Sequence, residues 1–279
     1  MKEEREKISI LGCGWLGLAL AKSLLLKGYE VKGSTTSESK LDVLKNAGIL
    51  PFQIQLEAYQ IIGTIQDFLK EIDVLIIDIP PGLRREISSL EEMTFVNKIR
   101  TIIPFIEKSG IKNVIFVSST SVYADSFPIV EITEETMPNP DTESGKQLAI
   151  VEALLQSNLN FKTTVIRFGG LLGEDRHPVK FLAGKTNVEN PDAPVNLIQR
   201  EDCIGIIEKI LNQVEYDNWG ETFNAVAPQH PTRKAYYQKK AQILNLPLPT
   251  FAEDSESKGK MISSKKVETI LGYLFQKEI

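Results

Sequence analysis

The sequence predicts an α/β fold with a doubly wound parallel sheet, and three observations support this prediction. Segments typical of strands alternate with segments typical of helices through the first two-thirds of the 279 residues. This alternation is the pattern of a parallel sheet covered by helices on both faces. Residues 73–79 and 113–119 are near-continuous apolar runs, as buried parallel strands are. A glycine-rich turn also stands between the first strand and the first helix.

The elements of the first two-thirds follow from apolar runs and their punctuation. Pro80, Pro81 and Gly82 end the strand at 73–79, and Ser37 is a suitable N-cap for the helix that follows the second strand. The predicted strands are 7–11, 30–34, 49–56, 73–79, 113–119 and 163–168, and the predicted helices are 18–27, 37–46, 61–71, 90–109 and 143–157.

The alternation loosens after Gly173, where Pro178, Pro191 and Pro194 indicate loops. Short strands are predicted at 195–198, 222–226 and 260–263, and helices at 202–214, at 232–244 and at the end of the chain. The prediction is one domain, 1–279, with a small substrate lobe built from about 174–193 and 227–279. Ligands of open α/β sheets bind outside the carboxyl ends of the strands. The loops after the strands are therefore expected to form the site.

Composition excludes several classes of function. The hydrophobic fraction of 42% and charged fraction of 25% are those of an ordinary globular protein. A net charge of −5 argues against nucleic acid or an anionic membrane as the main partner. No signal peptide or bilayer-spanning segment is predicted. Cys13 and Cys203 lie far apart and predict neither a disulfide framework nor a metal site. We therefore expect a cytoplasmic protein with a small-molecule substrate; the sequence predicts no oligomeric state.

The turn Gly12-Cys13-Gly14-Trp15-Leu16-Gly17 has the spacing GxGxxG between a strand and a helix. In that context Gly12 permits the tight turn, Gly14 lets the backbone approach a pyrophosphate, and Gly17 lets helix and strand pack closely. The helix N-terminus then offers N–H groups to the phosphates. A ligand-free glycine turn is the alternative, but the second strand at the right distance favours a dinucleotide site, with Trp15 and Leu16 among its residues.

The end of the second strand predicts which dinucleotide binds. Sites specific for NAD carry an Asp or Glu there, which binds the ribose 2′-hydroxyl. Here the position is Thr35, followed by Thr36 and Ser37, with Lys40 nearby. Because no acid would repel a 2′-phosphate, NADP is predicted over NAD, although the arginine that would strengthen this prediction is missing. Thr35 and Thr36 are assigned to the adenosine ribose, and Pro80 and Pro81 to the edge of the nucleotide pocket.

Four further segments of the chain carry a family resemblance. Ser118-Ser119-Thr120-Ser121-Val122-Tyr123 ends a buried strand, and it is accompanied by Arg167-Phe168-Gly169-Gly170-Leu171-Leu172-Gly173, by Asn196-Leu197-Ile198 followed by Asp202, and by Thr222-Phe223-Asn224-Ala225. Together with the glycine turn, these segments resemble the extended short-chain dehydrogenase/reductase family from about Lys7 to Leu271. The resemblance implies a Rossmann-type fold and an oxidoreductase, epimerase or dehydratase acting on a small polar or sugar-linked substrate.

The resemblance also implies roles for single residues. Ser119 would orient the substrate, and Lys146 would hold the nicotinamide ribose. The family's acid/base tyrosine stands four residues before that lysine, where this chain has Thr142. A threonine hydroxyl is far too weak an acid to replace a phenol near neutral pH. This departure resembles the atypical branch of the family, as do 173–178 and 259–263.

Three other residues are candidates for chemistry or substrate contact. Tyr123 is the nearest phenol to Ser119 and could be the proton donor, although packing or substrate contact is the alternative we favour. His177 could titrate near neutral pH but is interpreted as a substrate-contacting or surface residue. Arg167 could bind an anionic substrate group or bond loop carbonyls. The alternative for the whole chain is a non-catalytic dinucleotide-binding protein with a redox-sensing or regulatory role.

Overall fold

The computed structural model describes residues 6–82, 93–212, 219–253 and 256–279. Its strands are β1 Lys7–Leu11, β2 Glu30–Thr35, β3 Leu50–Gln53, β4 Gln55–Leu56, β5 Ile61–Ile62, β6 Val74–Ile77, β7 Asn113–Ser119, β8 Glu131–Ile132, β9 Lys162–Phe168, β10 Gly170–Leu172, β11 Leu197–Gln199, β12 Thr222–Ala225 and β13 Met261–Ile262. Its α-helices are α1 Trp15–Leu26, α2 Leu41–Asn46, α3 Ile65–Leu69, α4 Thr94–Ser109, α5 Glu143–Gln156, α6 Arg200–Leu211, α7 Arg233–Ile243 and α8 Lys265–Thr269. Short 3₁₀ helices span Glu38–Lys40, Thr120–Val122 and Pro178–Phe181.

Seven strands form the central sheet in the order β12-β9-β7-β6-β1-β2-β3. The chain begins in the middle of the sheet at β1, builds outward through β2 and β3, and then returns to build the other half from β6. The pairings from β3 through β7 are parallel, with Ile10 opposite Ile76 and Ile76 opposite Ile115. The predicted doubly wound parallel fold is confirmed.

The centre of the sheet is buried because its strands are apolar on both faces. Ile8 and Ile10 of β1 and Ile76 of β6 are fully buried. On α1, Leu20 and Leu24 are fully buried, whereas Leu26 at the end of the helix is 89% exposed. Burial of one side chain of this size contributes roughly 1.5–3 kcal/mol. The glycine turn between β1 and α1 is therefore attached to the best-packed part of the fold.

The bounds of the helix predicted at 61–71 are wrong, because its first residues form a strand. Residues Ile61–Ile62 form β5, which pairs antiparallel with β4, and the helix spans only Ile65–Leu69. Gly63 explains the difference, because it has a φ of +109° and any Cβ there would lie 2.1 Å from the Gln53 carbonyl oxygen. A helix cannot run through a left-handed residue packed so closely against another segment.

Other boundaries differ more modestly. The strand predicted at 49–56 is divided at Ile54, whose N–H donates to the Thr35 carbonyl. The helix predicted at 37–46 begins as a 3₁₀ turn, and the Ser37 hydroxyl meets the Ser39 hydroxyl at 2.9 Å instead of capping a backbone N–H. The helix predicted at 90–109 is observed at Thr94–Ser109, and the helix predicted at 202–214 is observed at Arg200–Leu211. Residues 90–92 and 213–214 of these predictions lie outside the described residues.

The chain divides into two compact units. The first contains the described residues of Met1–Ser118, Glu143–Ile166 and Ile210–Thr222, and the second those of Ser119–Thr142, Arg167–Lys209 and Phe223–Ile279. The second unit includes both segments of the predicted substrate lobe. It contains the parallel pairs β10–β11 and β8–β13, with a core formed by Leu172, Val195, Leu197, Ala227, Tyr236 and Ile279.

Two searches of the described residues were negative. No helix there has the length and apolar character needed to cross a bilayer. The same part of the chain holds no group of three or more His, Cys, Asp or Glu side chains arranged to bind a metal ion.

Candidate functional site: the glycine turn and its surroundings

The glycine turn is held in place by backbone contacts on two sides. Gly12 has a φ of +108°, and a Cβ on it would lie 2.3 Å from the Asp78 carbonyl oxygen. Its N–H donates to the Ser34 hydroxyl at 2.9 Å, and the Cys13 N–H donates to the Ser34 carbonyl at 2.7 Å. Only glycine fits this backbone conformation and this approach to β6. The turn is thus fixed between the ends of β2 and β6.

Gly17 and Gly14 meet different surroundings. A Cβ on Gly17 would lie 2.2 Å from the Gly12 carbonyl oxygen, so glycine is required for α1 to pack against the turn. Apart from its two chain neighbours, no atom of the described residues would lie within 4 Å of a Cβ on Gly14, which is the N-cap of α1 with φ −81° and ψ −145°. Crowding therefore accounts for Gly12 and Gly17, whereas the space beside Gly14 is open.

The first turn of α1 supplies donors beside this open space. The Leu18 N–H bonds to the Gly14 carbonyl at 3.1 Å, which starts the helix at Trp15. The amides that precede Leu18 have no acceptor inside the helix. Aligned peptide dipoles also place a partial positive charge at this end. The turn, the open space and the helix N-terminus have the features of a pyrophosphate site.

Asp78 is a site residue that the sequence prediction missed. It follows β6, and its carboxylate accepts the Gly17 N–H. Burial raises the pKa of Asp78 to about 8, and the Gly17 hydrogen bond opposes this shift only in part. The signal available in the sequence was an acidic residue near the end of an apolar strand. Its contact with the turn depends on the sheet order, which places β6 beside β1.

The end of β2 presents hydroxyl groups. Thr35 is 9% exposed, and its hydroxyl accepts the Ser37 N–H at 3.2 Å. Thr36 and Lys40 are exposed, and the Ser37 and Ser39 hydroxyls lie 2.9 Å apart. Thr35 therefore shapes the loop, and the exposed groups after it are the ones available to a ligand.

Three further predicted cofactor residues follow β6 or lie at the start of α5, in the same unit as the turn: Pro80, Pro81 and Lys146. Pro80 is exposed and Pro81 is half-buried, just after the carboxyl end of β6. Lys146 is exposed in the first turn of α5. Thr142 is also exposed and precedes α5.

In the second unit, Ser119 and Tyr123 flank a short 3₁₀ helix. The Ser119 hydroxyl accepts the Ser121 N–H at 3.2 Å and so caps Thr120–Val122. Tyr123 is fully buried, and its hydroxyl lies 3.2 Å from both the Thr133 carbonyl oxygen and Asn224 Oδ1. The phenol is thus engaged by the protein interior.

Arg167 completes a buried polar cluster, which consists of Tyr123, Thr133, Glu134, Arg167 and Asn224. The Arg167 guanidinium donates to the Tyr123 hydroxyl and lies 5.0 Å from the centre of the Tyr123 ring. Glu134 accepts the Asn224 N–H at 2.7 Å, and Asn224 Nδ2 has no partner within the described residues. Arg167 is only 5% exposed. These surroundings favour the structural alternative for both Tyr123 and Arg167; the sequence reasoning missed Asn224 as their partner.

His177 belongs to a different part of the second unit. Its Nδ1 accepts the Val179 N–H at 3.2 Å, and its ring stacks on that of Tyr236 with centroids 6.1 Å apart. Burial, with smaller contributions from Lys240 and Lys180, lowers the pKa of His177. The ring is therefore neutral at neutral pH, which makes it a poor proton donor there.

Comparisons with known proteins agree with this geometry. A family model described as NAD(P)H-binding matches residues 12–212. Protein YeeZ of Escherichia coli K12 is 33% identical over 273 residues, which is 97% of this chain and 96% of the relative.

Solved structures share the fold at lower identity. The UDP-glucuronic acid 4-epimerase of Bacillus cereus, in complex with NAD, has a TM-score of 0.80 at 16% identity and covers 98% of this chain and 92% of its own. A short-chain dehydrogenase/reductase superfamily protein from Agrobacterium tumefaciens with bound NAD has a TM-score of 0.75 at 17% identity, covering 98% and 93%. The chain belongs to the NAD(P)H-binding family and has the fold of the short-chain dehydrogenases/reductases, as its motifs predicted.

Proposed function

We propose that this chain binds NADP(H) at the Gly12–Gly17 turn and uses it on a small polar or sugar-linked substrate. One observation carries the cofactor site. Gly12 and Gly17 are glycines because the fold crowds them, whereas Gly14 is a glycine beside open space. A Cβ on Gly14 would enter that space without a close contact to the rest of the described chain. The absence of a side chain there is best explained by a ligand that lies against the backbone.

A substitution at Gly14 tests the cofactor site. Gly14→Val is expected to reduce NADPH affinity by at least tenfold, because its side chain fills the pyrophosphate position, with a loss of about 1 kcal/mol in stability from the poorer N-cap. Leu26→Ala, at the exposed far end of the same helix, is the control and should bind like the wild type. Calorimetric titration with NADPH measures the affinity of both variants and of the wild type. Equal affinity of Gly14→Val and wild type would refute the site.

The preference for NADP is proposed from the end of β2. No carboxylate stands at Thr35, and the hydroxyls of Thr36, Ser37 and Ser39, with the Lys40 ammonium, are the groups near this position. Hydroxyl and ammonium donors suit a 2′-phosphate better than they suit a bare 2′-hydroxyl. Glu38, exposed in the same 3₁₀ turn, is the acidic group that would oppose this preference.

Catalysis is proposed with Ser119 orienting the substrate and Lys146 holding the nicotinamide ribose. Thr142 cannot share a proton near pH 7, and general acid–base assistance is typically worth about 10²–10⁴ in rate. Turnover of carbonyl compounds and nucleotide sugars should therefore be slow, and Thr142→Val should leave it unchanged. The readout is NADPH oxidation across such compounds. Fast turnover that Thr142→Val abolishes would overturn this part of the proposal.

The second candidate function is a dinucleotide-binding protein without catalysis, which responds to the state of its bound cofactor. The observation in its favour is that Tyr123, the nearest phenol to Ser119 in sequence, is wholly buried and hydrogen-bonded. Direct thiol sensing by Cys13 is not part of this candidate, because burial raises the pKa of that thiol to about 12. In either form we place the protein in the cytoplasm, with a small molecule as its partner.

A further inference from the structure

An acidic side chain contacts the glycine turn that forms the proposed pyrophosphate site. The Asp78 carboxylate accepts the N–H of Gly17, the third glycine of the turn. One of its oxygens would lie 3.0 Å from a Cβ placed on Gly17, so the carboxyl group touches the first turn of α1. A site for a dianionic ligand that contains an ionised carboxylate would repel that ligand, since like charges a few ångströms apart are unfavourable in a partly buried site.

We propose that Asp78 binds the dinucleotide as a neutral carboxylic acid, so that any fraction of the protein with an ionised Asp78 takes up a proton at this side chain on binding. The inference rests on the proposed cofactor site. In the neutral form one oxygen still accepts the Gly17 N–H, and the other carries an O–H that can donate to a phosphate oxygen. The ionised form has no donor to offer. Asp78 is thereby a determinant of cofactor affinity, and neutralising it removes the repulsion.

The surroundings of Asp78 support protonation near neutral pH. Burial raises its pKa to about 8, and the opposing contribution is the Gly17 hydrogen bond. No Lys, Arg or His within the described part of the chain contributes to this shift. Cys13 is the titratable group of the turn. Burial and, to a smaller extent, the nearby Asp78 raise the pKa of its thiol, which is therefore neutral. On the neighbouring strand β7, Ser118 donates to Glu152 of α5 at 2.5 Å, so that carboxylate has its own donor.

The proposed coupling between Asp78 protonation and cofactor binding predicts how NADPH affinity changes with pH. If only the neutral form binds, apparent affinity follows the protonated fraction of the free protein. With a pKa of about 8, that fraction falls from about nine-tenths at pH 7 to about one-tenth at pH 9. NADPH binding should therefore weaken about tenfold between these two pH values in the wild type. Asp78→Asn keeps an acceptor for the Gly17 N–H and a donor for phosphate but cannot titrate, so its affinity should change by less than about twofold.

The experiment is calorimetric titration of NADPH into wild type, Asp78→Asn and Asp73→Asn at pH 7 and pH 9. Asp73 is the matched control, since its carboxylate precedes the same strand at the opposite end and accepts the Lys7 N–H at 2.7 Å. Asp73→Asn should retain the tenfold loss. Equal pH dependence in wild type and Asp78→Asn overturns the inference while leaving the proposed function intact. Failure of the wild type to bind NADPH or NADH at either pH refutes the cofactor site and the inference together.

A second measurement uses the wild type alone and does not depend on how the variant folds. Titrations at pH 8 in two buffers with different ionisation enthalpies report the number of protons taken up on binding. The expected uptake is about half a proton per site, because a group with a pKa of about 8 is half-protonated there before binding and fully protonated after it. An uptake indistinguishable from zero overturns the inference.

Discussion

Replacing Tyr123 by phenylalanine tests whether the role of this tyrosine is structural or catalytic. The change removes one hydroxyl that lies 3.2 Å from Asn224 Oδ1 and from the Thr133 carbonyl and that accepts a hydrogen bond from Arg167. Asn224 is fully buried and Arg167 is 5% exposed, so neither regains water easily. Thr133 is an exposed residue, so water can replace the Tyr123 hydroxyl at its carbonyl at small cost.

The expected loss of stability follows from these partners. Depriving a buried polar group of a hydrogen bond costs about 1–3 kcal/mol, with charged groups at the upper end. Asn224 and Arg167 together lead us to expect a loss of about 2–4 kcal/mol in the free energy of unfolding. For a domain of this size each kcal/mol lowers the melting temperature by roughly 2–4 °C. Tyr123→Phe should therefore melt roughly 4–16 °C below the wild type, with NADPH affinity unchanged within about twofold.

Differential scanning calorimetry and NADPH titration are the assays. Tyr59→Phe is the matched control, because Tyr59 is 87% exposed and its hydroxyl should contribute little to stability. A melting temperature that matches the wild type, combined with lost turnover of any substrate found, would refute the reasoning. The phenol would then be a proton donor and not a member of a buried cluster.

Two other changes test the cofactor site. Thr36→Asp places a carboxylate at an exposed position after β2 and should shift the preference from NADPH towards NADH by at least tenfold in the ratio of dissociation constants, because it supplies a ribose acceptor and repels a 2′-phosphate; a wild type that already prefers NADH strongly would contradict this. Gly17→Ala should lower the free energy of unfolding by about 1–3 kcal/mol or more, since its Cβ would lie 2.2 Å from the Gly12 carbonyl oxygen. Leu26→Ala, at the exposed end of the same helix, is the control for thermal melting, and equal stability of the two variants would show that α1 tolerates the contact.

The parts of the fold that sequence predicted well are those with strong local signals. Strands β1 and β7 were predicted with their observed bounds because each is a compact apolar run. The glycine turn was recognisable because its spacing and its flanking elements agree. The bounds predicted for the helix at 61–71 were wrong because the apolar residues of this segment fit a short strand followed by a short helix as well as they fit one helix. Gly63, which separates the two elements, was not interpreted as a break.

The missing parts of the site are contacts between residues distant in sequence. Asn224 lies 101 positions from Tyr123, and Gly17 and Asp78 are brought together by the pairing of β1 with β6. Arg167 and Tyr123 were considered separately, as candidates for substrate contact and proton transfer, and the structure joins them in one cluster. Periodicity reports which face of an element is buried but does not specify the partner across the core. Buried polar groups therefore require a three-dimensional arrangement for their interpretation.

A glycine motif contains residues kept for different reasons, and the structure separates them. At Gly12 and Gly17 a side chain would collide with backbone oxygens, so folding alone accounts for both. At Gly14 a Cβ would meet no close contact beyond its chain neighbours, and the open space there suits a ligand that lies against the backbone. The same reasoning applies to Asp78, which the packing of an apolar strand does not need and which burial disfavours in its charged form. Gly14 and Asp78 are thus the positions where a change should alter dinucleotide binding while the sheet remains intact.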